Sequence, residues 1–156
     1  MLRTRIVLGT VAALISLRCA HPSIAGEASH VRWFNNVNEA WRASQSQDRP
    51  LLVFVTRSDC LPCAKMKVGT YTDPAVAAAI NDRFVPLAID ATLPSQLLKD
   101  LAVIGYPATF VISPQAVILQ RMDGYVSAAQ MTAKLAHVGP ATPGKVPARP
   151  VSGQAF

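Results

Sequence analysis

Cys60-Leu61-Pro62-Cys63 is the segment of this 156-residue sequence whose residue types and spacing best suit covalent chemistry. The nucleophile in thiol–disulfide exchange is a thiolate, and an unperturbed cysteine is mostly protonated at neutral pH. The pair lies between the apolar run Leu51–Val55 and the stretch Ala64–Val68, which reads as the start of a helix. A sulfur at a helix N-terminus meets unpaired N–H groups and the positive end of the macrodipole, and both favour the anion. This placement makes Cys60 the attacking thiol. Cys63, about one helical turn further in, is then the residue that attacks a mixed disulfide and frees the partner. Pro62 falls where a missing N–H is harmless and a fixed φ is helical. Asp59, Leu61 and Pro62 border the two sulfurs and are placed to modulate them.

Other chemistry could use the same spacing. Zinc sites contain C-x-x-C, but a structural site takes four protein ligands and a catalytic site three. Beyond the first 25 residues the only histidines are His30 and His137, at opposite ends of the chain and without ligand-like spacing, so no metal is expected. A purely structural disulfide is the other possibility. A loop that short removes little entropy from the unfolded chain, which favours a chemical role.

Compartment bears on the same question. Arg3 and Arg5 precede a nearly unbroken apolar stretch, Ile6–Leu17, and Ser23-Ile24-Ala25 offers small residues at the two positions a signal peptidase reads. This pattern predicts a signal peptide over residues 1–25, cleaved before Gly26, and so a periplasmic or secreted protein. An uncleaved membrane anchor is the alternative. Lipidation of Cys19 is disfavoured by Arg18 just before it. Cleavage would remove Cys19 and leave Cys60 and Cys63 as the two cysteines. It would also leave twelve basic residues against nine acidic ones, a formal +3 in place of +6. So small a balance, with no basic run and no phosphate-cradling glycine loop, gives no reason to expect nucleic acid or a small-molecule cofactor.

The elements that must position the cysteines follow from periodicity. Residues 35–48 read as a helix, with Val37, Ala40, Trp41 and Ser44 at helical spacing and Asn35, Asn36 or Asn38 as its cap. Leu51–Val55 suits a strand buried on both faces. The helix after the cysteines is expected to be interrupted at Gly69, and Asp73-Pro74 opens another. Phe84–Ile89 reads as a second buried strand, with Asp90 capping the turn after it. Residues 94–104 read as a helix with Leu97, Leu98, Leu101 and Ile104 on one face. Thr109–Ile112 and Val117–Gln120 form a hairpin around Ser113–Ala116, and 127–138 is a last helix with Met131, Leu135 and Val138 inward. The order implies a mixed sheet covered by helices. Residues 139–156, with four prolines, read as a disordered tail. Trp33 and Trp41 read as packing residues, and Lys65 and Lys67 as a solvated face.

With these residues in place, the chain resembles the thioredoxin superfamily, and within it the small secreted thioredoxin-like proteins. The resemblance covers about residues 30–138 and rests on Leu51–Val55 leading into Cys60-Leu61-Pro62-Cys63, on Gly105-Tyr106-Pro107-Ala108-Thr109, and on the closing hairpin, Gly124 and helix. It implies an α/β thioredoxin fold, a mixed sheet of about four strands flanked by helices. It also implies that Pro107 is cis and lies beside the cysteines, and that the Tyr106 backbone pairs with substrate polypeptide. The chain departs from thioredoxin in three places. Asp59 replaces the tryptophan before the first cysteine, and a carboxylate there should oppose the Cys60 thiolate. Phe54 stands where the family has a buried acid. Pro86 corresponds to the lysine that neighbours that acid on the next strand, so both members of a proton-handling pair are missing.

The expectation is an exported thiol–disulfide oxidoreductase acting on protein thiols and disulfides through Cys60 and Cys63, with Tyr106 and Pro107 holding the substrate segment. Potentials of such proteins run from about −270 to about −120 mV, and proline before the second cysteine matches the reducing end. A reductant or isomerase is therefore expected, supplied with electrons by a membrane donor. A non-catalytic binding or chaperone-like module of the same fold is the alternative, favoured by Phe54 and Asp59 and disfavoured by the intact cysteine pair.

Overall fold

The computed structural model of the chain describes residues 30–93 and 95–139. The expected signal peptide and most of the proline-rich tail lie outside these residues.

The apolar runs form the sheet. Strands β1 (Leu51–Thr56), β2 (Val85–Asp90), β3 (Ala108–Ile112) and β4 (Ile118–Asp123) lie in the order β2-β1-β3-β4. β1 runs parallel to β2 and antiparallel to β3, and β3 and β4 are antiparallel. All six residues of β1 are buried, as a central strand covered on both faces must be. Its side chains alternate between two cores. Leu52 and Phe54 join Cys63, Met66, Ile80, Met131 and Leu135 on one face. Leu51, Val53 and Val55 join Ala40, Leu97, Leu101 and Phe110 on the other.

Local signals set the helices. α1 (Val37–Gln47) starts where the Asn36 side chain accepts from Glu39 N at 3.1 Å, and its buried residues are Ala40 and Ser44. α3 (Pro74–Arg83) starts where Asp73 accepts from the N–H groups of Ala75 and Val76. α5 (Ala128–Ala136) is closed by a Ser127/Gln130 capping box and buries Met131 and Leu135. Trp33 packs against Tyr71 and Phe54, with ring centroids 4.9 and 5.9 Å apart. Asp90 caps its turn by accepting from the N–H and hydroxyl of Thr92.

Three expectations need correction. α2 (Leu61–Lys65) begins three residues before Ala64, and the chain continues past Gly69 as a π-helical turn, Met66–Thr70. Gly69 stays out of the left-handed region, so it follows the helical path and does not end it. α4 is only Gln96–Asp100: Leu97 and Leu101 are buried, but Ala102 turns left-handed (φ 46°) and Ile104 is 86% exposed. Pro86 does not stand beside Phe54. Its register partner on β1 is Leu52, while Phe54 lies between Ala88 and Thr109. Pro86 is tolerated inside a strand for a simple reason. Its carbonyl accepts from Phe34 N at 2.8 Å on the outer edge of the sheet, so its missing N–H falls on that edge and breaks no bond to β1.

Candidate redox site

The cysteine pair sits where β1 gives way to α2. The strand ends at Thr56, three residues turn, and Cys60 takes extended dihedrals (φ −104°, ψ 100°) as the N-cap of α2. Cys60 and Cys63 are joined by a disulfide with Cα atoms 5.2 Å apart. The Cys60 Sγ accepts from the Cys63 N–H at 3.2 Å, and the Cys60 carbonyl accepts from Ala64 N at 3.0 Å. One of the unpaired amides of the first turn is therefore aimed at the Cys60 sulfur, the contact that stabilises a thiolate once the bond is reduced. Cys63 is fully buried, whereas Cys60 is half-buried and reachable from solvent. This asymmetry lets an external disulfide meet one sulfur only.

Leu61 and Pro62 occupy the first turn, both exposed, Leu61 at 81%. The Tyr106–Pro107 peptide bond is cis. Pro107 is buried at the start of β3, and its carbonyl accepts from Gly124 N at 2.8 Å. Tyr106 is half-buried and, like Cys60, packs against the core that contains Cys63 and Met66.

Asp59 has an ion-pair partner. Its carboxylate accepts two hydrogen bonds from Arg57, Nε at 3.1 Å and Nη2 at 2.9 Å, so its charge is held by a guanidinium. The same guanidinium lies over the Tyr106 ring, 5.5 Å from its centroid. Arg57 thus joins the segment before Cys60 to the segment before Pro107, a link that no local sequence pattern signals. Lys65, expected to be simply solvated, has its Nζ 4.9 Å from the centre of the Tyr125 ring.

Behind the site the packing is apolar. Phe54 is fully buried, with its ring 4.8 Å from that of Tyr71. The Tyr71 hydroxyl hydrogen-bonds the Thr109 hydroxyl at 2.9 Å. Burial pushes the Tyr71 pKa far up, and the bond to Thr109 offsets this only in part, so the phenol is neutral at any physiological pH. Among the described residues no Asp or Glu is buried as a whole residue, and none of the His, Cys, Asp and Glu residues form a group of three that could hold a metal ion.

Comparisons with known proteins agree with this geometry. The model of a family described as thioredoxin-like matches residues 32–114. The thiol:disulfide interchange protein DsbD of Ralstonia nicotianae is 33% identical over 101 residues, which cover 62% of this chain but 16% of that protein. A thioredoxin from Thermus thermophilus superposes with a TM-score of 0.64 at 25% identity, covering 69% of this chain and 86% of its own. The oxidised C-terminal domain of DsbD from Neisseria meningitidis superposes with a TM-score of 0.57 at 22% identity, covering 69% and 99%, and supports the fold alone. Since the family model spans more than half the chain, including β1, β2, β3 and the cysteine pair, the chain belongs to the thioredoxin-like family.

Proposed function

We propose that this protein is an exported thiol–disulfide oxidoreductase that reduces or isomerises disulfides in other proteins, with Cys60 as attacking and Cys63 as resolving residue. The observation that carries the reading is the half-buried Cys60 Sγ held at a helix start by the Cys63 N–H, bonded to a fully buried Cys63. In the reduced protein the Cys60 thiolate attacks one sulfur of a substrate disulfide. The Cys60–substrate bond forms as the substrate bond breaks, and the departing thiolate takes a proton from water. Cys63 then loses its proton and attacks the Cys60 sulfur. The internal disulfide reforms and the second substrate thiol leaves, so two electrons and two protons pass to the substrate. Recharging requires an external dithiol, which this reading assigns to a membrane partner.

Tyr106 and Pro107 are the residues proposed to hold the substrate segment, Tyr106 by strand-like backbone pairing. The DsbD relative, named for thiol:disulfide interchange, supports the reaction class. Export rests on the Arg3, Arg5 and Ile6–Leu17 pattern. A module that binds polypeptide without turnover is the second reading. It draws on Phe54, a fully buried apolar side chain that cannot act as a base for Cys63. Reduction of insulin by dithiothreitol separates the two. The wild type should accelerate precipitation of the insulin B chain and Cys60→Ser should not; equal rates would leave only the binding module.

A further inference from the structure

We propose that Arg57 is a positioning residue that sets the reactivity of Cys60 by neutralising Asp59, an inference that rests on the exchange reading above. Asp59 is the residue immediately before Cys60, so its carboxylate is the nearest fixed negative charge along the chain. Left alone, it would oppose the thiolate that the helix start favours. Arg57 answers it with a two-pronged contact at 3.1 and 2.9 Å, a geometry that a guanidinium makes and an ammonium cannot. The face of the guanidinium is held in turn by the Tyr106 ring. One flat cation is fixed by an anion at its edge and an aromatic ring below it, in the segment that leads to the attacking sulfur.

Other charges around this point belong to different elements. Asp90, at the end of β2, is held below the ordinary carboxylate range first by its bonds from Thr92, and weakly by Lys67 and Arg57. Lys67 lies in the π-helical turn, and Lys65 is turned towards Tyr125. Asp90 has its own partner in Thr92, whereas the Asp59 carboxylate is hydrogen-bonded by Arg57. The Arg57 and Asp59 side chains are 43% and 66% exposed, so the effect is modest and weakens with salt.

The test is the rate of Cys60 alkylation by iodoacetamide in the reduced full chain, read on the Cys60 peptide by mass spectrometry, across pH at low ionic strength. Below the thiol midpoint, Arg57→Gln should react about threefold more slowly, the size of effect an exposed ion pair carries. Asp59→Asn should react faster by a similar factor, and the double variant should return close to wild type. Arg57→Lys, which keeps the charge but not the two-pronged contact, should recover only part of the lost rate. A wild-type rate in Arg57→Gln, or a double variant as slow as Arg57→Gln alone, overturns the proposal. If Arg57→Gln does not fold, Asp59→Asn decides, because an unchanged rate there also overturns it. Insulin reduction measured in parallel keeps the two ideas apart. A wild type without insulin reductase activity removes the proposed turnover, while the alkylation pattern still judges Arg57.

Discussion

Removing the Tyr71 hydroxyl should destabilise the protein through Thr109, and removing both hydroxyls together should restore much of the loss. Thr109 is fully buried and Tyr71 nearly so, and their 2.9 Å bond joins the end of the π-helical turn to β3, two residues beyond Pro107. In Tyr71→Phe the Thr109 hydroxyl is stranded against Phe54, its register partner on β1. An orphaned buried hydroxyl costs about 1–3 kcal/mol, more than the net worth of the bond itself. Thr109→Val strands the Tyr71 hydroxyl at a similar cost. The double variant strands neither, so its loss should fall short of the two single losses combined by about 1–2 kcal/mol. Urea unfolding of the oxidised chain followed by tryptophan emission measures this, with Trp33 edge-on to Tyr71 as reporter. The m-value should stay constant. Losses that simply add, or single variants as stable as wild type, would refute the reasoning.

Other expectations follow from the same contacts. Cys63→Ser should accumulate a mixed disulfide between Cys60 and a protein substrate, visible on non-reducing gels and cleared by dithiothreitol, and Cys60→Ser should not. Gly124 has φ +81° and open space around the position of a Cβ, so Gly124→Ala should cost about 1–2 kcal/mol in urea from backbone strain alone. Asp90 has its folded pKa lowered from 3.8, so its contribution to stability is present above that pH and is lost as pH falls through the lower folded value. The thermal midpoints of wild type and Asp90→Asn should therefore converge on acidification below pH 3.8, and a constant gap would contradict the sign.

What could be read in the sequence was what depends on neighbours along the chain. The apolar run Leu51–Val55 and the cysteines after it placed Cys60 at a helix start, because strand, turn and helix are contiguous there. Asp73, Asn36 and Asp90 announced their caps for the same reason. Local pattern failed where the backbone turned without a marker residue. Ile104 continues the spacing of Leu97 and Leu101, but Ala102 adopts a left-handed φ that no glycine advertises, and Ile104 swings into solvent. Pro86 pairs with Leu52 and not with Phe54, a register fixed by partners far away in sequence. Arg57 carries no sequence signal, because its partner Tyr106 lies 49 residues on and exposed side chains have no periodicity.

The most direct test of the central claim is the reduction potential of the Cys60–Cys63 pair in dithiothreitol and glutathione buffers. The pair should titrate reversibly as a two-electron couple at or below about −230 mV, towards the thioredoxin end of the scale. A potential near about −120 mV, the strongly oxidising end, would contradict a reductant or isomerase and point to an oxidase. A pair that never forms the disulfide across these buffers would contradict thiol–disulfide exchange altogether.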